Sequence, residues 1–238
     1  MTNDGSNQTW NISNVQGEKF GIGHNTVITS YEVAGEETID PEVDATSDKA
    51  RIYTRLGFTF DVVGFSRRSN PQQITIQALL VSLASDAVEA LGMDLAAVDL
   101  QKAGDGLTVF LTEEVELHRA LPKLLRALRE SLSAGNRKYV DKIRLRLAVG
   151  NGPVGRAPAG WAESTVIELH RLVDSSVLRQ AMVDHPDAEL VALVTNELYR
   201  HTVGAGHPGL STDEFEAIDV AVEDKDFLAH AWLWVPRA

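Results

Sequence analysis

The stretch GFTFDVVGFS, residues 57–66, places an aspartate inside a run of hydrophobic residues. Side chains alternate along a strand, so Phe58 and Phe60 face one side and Asp61 faces the other. Burial of an aspartate costs free energy unless a cation neutralises it, although an aspartate exposed at the rim of a sheet is the structural alternative. Gly64 and Ser66 follow at once, a pattern that lets backbone amides approach a phosphate. The stretch therefore predicts a buried strand that ends at an anion or cation site.

The flanking sequence predicts an α+β domain with the order β-α-β-β-α-β, followed by α-β and a C-terminal hairpin. This is a ferredoxin-like layout, a mostly antiparallel sheet that we expect to carry its helices on one face. Ser69 and Pro71 supply a cap and a first-turn proline for the first helix. The predicted strands are 57–63, 98–100, 107–111, 143–149, 190–194, 217–222 and 229–235. The predicted helices are 74–91, 121–135, 166–182 and 195–201, and a Gly-Pro-rich loop covers 150–160.

The first 50 residues differ from the rest, and we predict a flexible N-terminal segment over 1–50 and a folded domain over 51–238. Residues 2–14 are rich in Asn, Ser, Thr and Gly, and residues 35–48 are acidic. Neither stretch could bury enough apolar surface to offset the entropy of ordering. A more apolar island at 15–28 is interpreted either as a linker or docked hairpin, or as an interaction motif.

Composition excludes several classes of protein. The formal net charge of −12 disfavours binding to a nucleic acid at long range. The chain has no cysteine, which removes disulfides and thiolate chemistry. It also lacks an uninterrupted apolar stretch of about 18 residues, and residues 1–8 lack the layout of a signal peptide. We therefore expect a cytoplasmic protein with no membrane partner.

Asp105 is the second acidic residue of interest. The sequence Gly104-Asp105-Gly106 is typical of a hairpin turn, and alone it indicates only that. In the predicted layout, however, this hairpin neighbours the first strand, so Asp61 and Asp105 could converge. Two carboxylates suit Mg²⁺ or Mn²⁺, with phosphate oxygens and water as the other ligands. Two such ions per site could activate an attacking oxygen and stabilise a leaving pyrophosphate.

Four motifs resemble those of the class III nucleotidyl cyclases. Residues 60–66 and 103–106 are similar to the two metal motifs of that family. Residues 144–154 resemble its strand-and-loop signature, and residues 166–172 occupy the place of the helix that carries its transition-state residues. Within the family, the sequence around 229–236 resembles compact bacterial Pycsar cyclases, which make cyclic pyrimidine nucleotides (uridylate and cytidylate cyclases).

The resemblance implies a role for each matching position. Asp61 and Asp105 would hold two divalent ions, with the Val62 carbonyl as a further ligand. Arg171 would be the catalytic arginine that stabilises charge on the phosphoryl group. The family's sites lie between subunits, so a head-to-tail homodimer is implied. The backbone amides expected to contact the triphosphate are those of Val63, Gly64, Phe65 and Ser66.

Three positions depart from the family pattern. The family's transition-state asparagine is replaced by Ile167, and its purine-reading lysine by Gln101. The partner base-reading position is Gly160. Loss of both purine contacts argues for a pyrimidine, because polar contacts are what discriminate between bases. We predict UTP as substrate, with CTP second, and Gln101 as a base contact.

The predicted function is cyclisation of a ribonucleoside triphosphate to the 3′,5′-cyclic monophosphate and pyrophosphate. In a Pycsar-type antiphage system the product would act on a cyclic-nucleotide-responsive effector. Alternatives are a purine (adenylate) cyclase and a degenerate cyclase-fold dimeric scaffold, which Ile167 favours. A diguanylate cyclase shares the architecture, but its Gly-Gly-Asp/Glu-Glu-Phe hairpin is missing.

The island at 15–28 contains Val-Gln-Gly and Phe-Gly-Ile-Gly-His-Asn-Thr, which resemble short amyloid-signalling motifs of the RHIM type. Such segments stack in register through backbone ladders and asparagine side chains. On this interpretation the N-terminal segment recruits a regulator or effector by homotypic stacking.

Overall fold

A computed structural model of the chain divides into two units, residues 1–49 and 50–238. In the first unit the backbone forms two antiparallel pairs, Ser13–Gln16 with Glu32–Glu36 and Lys19–Phe20 with Val27–Ile28. Most of the RHIM-like motif, and the predicted flexibility of 1–50, lie outside the described residues. The structure describes residues 13–16, 19–20, 27–28, 32–36, 52–103, 105–138, 141–157, 160–222 and 227–236.

The second unit is built on one eight-stranded sheet. Its strands are β1 Ile52–Val62, β2 Asp99–Ala103, β3 Gly106–Phe110, β4 Leu145–Ala157, β5 Gly160–Ala162, β6 Leu190–Thr195, β7 Phe215–Val222 and β8 Phe227–Trp234. Their order in the sheet is β7-β8-β6-β4-β1-β3-β2, and β5 pairs with β4 off this path. The helices are α1 Asn70–Ala90, α2 Leu117–Asn136, α3 Ser164–Val173, α4 Ser176–Asp184 and α5 Asn196–His201. Among the described strands only β4 and β6 run parallel. The predicted order of strands and helices is confirmed, except that β5 was not predicted and that one predicted helix is the two helices α3 and α4.

Both faces of the sheet are covered by helices, so the expectation of helices on one face was wrong. Phe58 and Phe60 of β1 belong to a core shared with α1 and α2. On the opposite face Leu169 of α3 and Leu178 of α4 pack with Ala148 of β4. The second face of β1 carries the polar residues Thr59 and Asp61, which suggest an exposed side by their residue type but are buried in the structure.

The Gly-Pro-rich segment predicted as a loop over 150–160 is mostly strand. β4 continues to Ala157 and pairs with β1 as far as Gly155, with Leu56 opposite Asn151 and Ile52 opposite Gly155. Glycine and proline are depleted from strands by local propensity. Here the long partner strand supplies the hydrogen bonds that override it.

The helix predicted over 166–182 is two helices. Ser175 is buried, and its Oγ accepts a hydrogen bond from the Leu178 N–H at 3.3 Å, which caps α4 and separates it from α3. The predicted cap of α1 is confirmed at Ser69, whose N–H donates to the Gln72 side chain at 2.9 Å. No helix in the described part of the chain has both the length and the apolar character to cross a bilayer.

Candidate active site

The two predicted metal-binding aspartates lie side by side at one edge of the sheet. Asp61 stands near the end of β1, and its partner in the antiparallel ladder is Gly106 of β3. Asp105 directly precedes Gly106 in the turn that connects β2 to β3. Residues far apart in sequence are thus brought together by the β1–β3 register, as the sequence predicts.

Burial dominates the electrostatics of this pair. Asp61 is 8% exposed, and the pKa of its carboxyl is raised from 3.8 to about 6, with desolvation as the largest cause. The Arg146 guanidinium lowers the pKa by its charge and hydrogen bond, and the Asp105 carboxyl raises it by its charge and a hydrogen bond. Desolvation therefore outweighs the ion pair with Arg146, and Asp61 is held in a site that does not fully stabilise its negative charge.

Arg146 is the residue of the site that sequence reasoning missed. It lies on β4 opposite Asp61 in the β1–β4 ladder, and its guanidinium forms an ion pair with the Asp61 carboxylate. Its Nε is buried without a hydrogen-bond partner in the described structure. The sequence places Arg146 on the side of its strand away from the first core. Its partner became visible only with the strand register.

The turn after β1 begins at Gly64, three residues after Asp61. Gly64 has φ 71°, a left-handed conformation that glycine adopts without cost, and it leads into a short 3₁₀ turn at Phe65–Arg67. The first N–H groups of such a turn have no partners within it. The Val63 N–H, in contrast, donates to the Arg144 carbonyl at 2.9 Å. A phosphate at this edge would thus meet the amides of Gly64, Phe65 and Ser66 before that of Val63.

Gln101, the predicted base contact, is held by β5. Its Oε1 accepts a hydrogen bond from the backbone N–H of Trp161 at 3.3 Å. The Trp161 ring is flanked by Arg55 and Arg156, whose guanidinium carbons lie 5.2 and 5.0 Å from the ring centre, and both arginines pair with Asp99. Gln101 and β5 therefore meet in the fold, although their positions are distant in sequence.

Arg171 and Ile167 lie on α3. The Arg171 guanidinium sits over the Phe227 ring, 5.1 Å from its centre, and Ile167 is 51% exposed. Among the described residues, no ion pair or hydrogen bond connects Arg171 to Asp61 or Asp105. One chain therefore brings the two aspartates together but does not bring Arg171 to them.

The donor set at this edge fits a hard divalent cation. When both acids are ionised, the carboxylates of Asp61 and Asp105 outnumber the single guanidinium of Arg146 and leave one negative charge. Carboxylate oxygens are the ligands that Mg²⁺ and Mn²⁺ prefer. Nowhere in the described ranges do three or more His, Asp or Glu side chains form a group able to hold a metal. A cation bound here would need further oxygen ligands from its substrate or from water.

The fold of this chain is similar to that of several solved structures. The catalytic core of a rhodopsin-guanylyl cyclase with converted specificity, in complex with ATPalphaS, matches with a TM-score of 0.54 and 15% identity over 80% of this chain and 100% of that one. The chain has the nucleotidyl cyclase fold. The adenylyl cyclase CyaB from P. aeruginosa matches with a TM-score of 0.52 and 13% identity, over 79% and 96% of the two chains. The guanylate cyclase domain of RhGC from Catenaria anguillulae, in complex with GTP, matches with a TM-score of 0.51 and 15% identity, over 79% and 98%.

No protein-family model matches the sequence, and a search of curated proteins finds no significant relative. The nucleotidyl cyclase fold predicted from the four motifs is nonetheless confirmed by these structures. Identities of 13–15% establish the fold only. The chemistry of this chain depends on the residues of its site.

Proposed function

We propose that this protein is a nucleotide cyclase, in which the 3′-hydroxyl of a bound ribonucleoside triphosphate attacks its own α-phosphate. A new oxygen–phosphorus bond closes the ring, the bond to the β-phosphate breaks, and pyrophosphate leaves. The observation that carries this proposal is the convergence of Asp61 and Asp105 beside the Gly64 turn, in a nucleotidyl cyclase fold. A scaffold without catalytic function would have no need of two carboxylates at that point.

Asp61 and Asp105, with the Val62 carbonyl as a further ligand, would hold divalent cations, two per site and either Mg²⁺ or Mn²⁺. When bound, such ions lower the pKa of the 3′-hydroxyl and neutralise charge on the phosphates. The raised pKa of Asp61 supports this role, because a carboxylate that its surroundings leave undercompensated gains most from an added cation. Arg146 reduces the repulsion between the two carboxylates and adds a positive charge close to the phosphates.

Arg171 would stabilise the charge that develops on the phosphoryl group, and it would do so from a second copy of the chain. Its place over Phe227, without a contact to either aspartate of its own chain, supports this arrangement. The proposal is therefore a head-to-tail homodimer in which each of two sites combines the aspartates of one subunit with the arginine of the other.

We propose a pyrimidine substrate, UTP first and CTP second. The backbone N–H of Trp161 donates to the carboxamide oxygen of Gln101. The carboxamide N–H groups of Gln101 can then donate to a carbonyl oxygen of the base. The product would serve as the signal of a Pycsar-type antiphage system with a cyclic-nucleotide-responsive effector. Purine use is the alternative, since the neighbouring structures are named adenylyl and guanylyl cyclases.

Purified protein incubated with each of ATP, GTP, CTP and UTP and with Mn²⁺ tests the proposal. We expect a cyclic monophosphate and pyrophosphate in equal amounts, with the highest rate for UTP. Asp61→Asn and Asp105→Asn should each lower turnover by roughly a thousandfold or more. Asp219→Asn is the matched control, because Asp219 also lies on a strand but is 78% exposed, and it should leave turnover unchanged.

Preferential formation of cyclic AMP or cyclic GMP would replace the pyrimidine assignment and keep the cyclase. The absence of a cyclic product from all four nucleotides would favour the second candidate, a dimeric scaffold that has lost catalysis. The observation that favours this scaffold is Ile167, an exposed apolar residue on α3 where the family has an asparagine.

A further inference from the structure

A cavity of about 500 Å³ lies against the C-terminal half of α2, and none of its lining residues belongs to the candidate active site. Its floor is formed by Pro122, Leu210 and the buried Trp234. A volume of this size is typical of sites for small molecules. The cavity is therefore a second place on the molecule that could bind a ligand.

Three arginines of α2, Arg126, Arg129 and Arg137, line this cavity. Arg126 and Arg129 are one turn apart, and Arg137 stands about 16 Å further along the helix axis than Arg126. All three are exposed. Within the part of the chain that the structure describes, none of the three guanidinium groups forms an ion pair or a hydrogen bond. In a chain with a net charge of −12, this is a local concentration of unneutralised positive charge.

Two acids also line the cavity, and neither forms an ion pair with the arginines. One Glu214 oxygen accepts the Ser211 N–H at 2.8 Å, and the other accepts a hydrogen bond from the Trp234 Nε1 of β8 at 3.5 Å. Glu130 is exposed and has no ion pair with the arginines. The local charge is positive by one unit, since three guanidinium groups face two carboxylates.

The wall opposite α2 is fixed by close packing. Gly209 has φ 118°, and a Cβ added there would lie 2.9 Å from the Pro122 Cγ, so only glycine lets the loop approach the helix this closely. A capping box between Ser211 and Glu214 then orders the next turn of this loop. This wall of the cavity is therefore fixed by the packing of the loop against Pro122.

We propose that this cavity binds a small molecule that carries two or more phosphate groups. Guanidinium groups match phosphate oxygens with paired hydrogen bonds, and their charge is weakly hydrated compared with that of lysine. Arginines spread over about three helical turns can contact phosphates at two separate places. The apolar floor would contact the remainder of the ligand. This inference does not depend on the proposed cyclase activity.

Isothermal titration of the full chain with inorganic pyrophosphate, in EDTA, tests the proposal. Without divalent cations the carboxylates of Asp61 and Asp105 repel a polyanion, so binding at the active site is suppressed. We expect the wild-type chain to bind pyrophosphate at millimolar concentration or below. The double variant Arg126→Ala/Arg137→Ala should bind at least about tenfold more weakly, because two charge-assisted contacts are lost.

Arg119→Ala is the matched control, since Arg119 is an exposed arginine on the same helix outside the cavity, and its affinity should stay within about twofold of wild type. No binding by the wild-type chain, or an equal loss in Arg119→Ala, would overturn the proposal. If the double variant does not fold, the single variants Arg126→Ala and Arg137→Ala decide the question in the same way.

Discussion

At the scale of single residues, the electrostatics of the site depend on Asp61. Its carboxyl is buried between a guanidinium and a second carboxyl, and the desolvation cost exceeds the stabilisation by Arg146. A pKa of about 6 places the loss of this proton close to neutral pH. A group of this kind couples proton release to cation binding, because only the ionised form is a good ligand.

We expect the affinity for Mn²⁺ to fall about tenfold between pH 7 and pH 5, because a carboxyl with a pKa of about 6 is mostly ionised at pH 7 and mostly protonated at pH 5. Calorimetric titration with Mn²⁺ at several pH values measures this. Asp61→Asn should abolish the pH dependence along with most of the affinity. An affinity that stays constant over this range would mean that Asp61 has an ordinary pKa.

The raised pKa of Asp61 also determines how the stability of the fold changes with pH when no metal is bound. The folded-state pKa of Asp61 lies above its ordinary value of 3.8. The protonated carboxyl therefore favours the folded state below about pH 4, and this contribution is lost as the pH rises through about 6. Divalent cations should restore stability at neutral pH, since they bind the folded state.

At the scale of elements, α3 depends on glycines in the strands beneath it. A Cβ at Gly57 would lie 3.2 Å from Leu169, and a Cβ at Gly152 would lie 2.4 Å from the Thr165 Oγ1. These glycines allow the helix to approach the sheet closely. His170 then lies 3.3 Å from Thr108 of β3, which ties the helix to the strand that follows Asp105.

Gly150→Ala should lower the free energy of unfolding by about 1–3 kcal/mol, because its methyl group would stand 2.6 Å from Thr195 and 3.2 Å from Leu169. Gly155→Ala on the same strand is the control. Its nearest neighbour would be 3.4 Å away, so we expect a change within about 0.5 kcal/mol. Urea denaturation measures both. Equal changes in the two variants would contradict the role of close packing beneath α3.

At the scale of the whole molecule, the sheet separates two layers of helices that cover different hydrophobic cores. α1 and α2 cover the core that contains Phe58 and Phe60, and α3 and α4 cover the other face. The aspartates lie at the β1–β3 edge, whereas Arg171 rests on Phe227 of β8. In the proposed homodimer, Arg171 of one copy would meet the aspartates of the other.

Mixing two inactive variants tests this arrangement. Asp61→Asn and Arg171→Ala should each be nearly inactive alone, because each damages both sites of a homodimer. In an equal mixture that exchanges subunits, half of the dimers are mixed, and each mixed dimer has one intact site. Turnover should therefore recover to about a quarter of the wild-type value. An active Arg171→Ala protein, or a mixture without recovery, would rule out sites shared between subunits.

The sequence alone was sufficient for the order of the elements and for the two aspartates. Alternating side chains identified β1, and Ser69 with Pro71 located the start of α1. Local signals of this kind depend only on neighbours in the chain, so they can be identified from the sequence without a structure. The boundaries of β4 and the break at Ser175 were predicted wrongly. In the first case a distant partner strand outweighed local propensity, and in the second a single buried cap divided one apolar pattern into two helices.

What the sequence determined by itself is the order of the strands and helices and the two motifs that contain Asp61 and Asp105, because strand alternation and turn chemistry depend on consecutive residues. The tertiary structure decided that Arg146 joins this pair, that Gln101 meets Trp161, and that Arg171 stays away from its own aspartates. Those contacts follow from the register between strands and from the packing of α3. Both are set by cooperative pairing across long separations in the chain, and no local pattern specifies them.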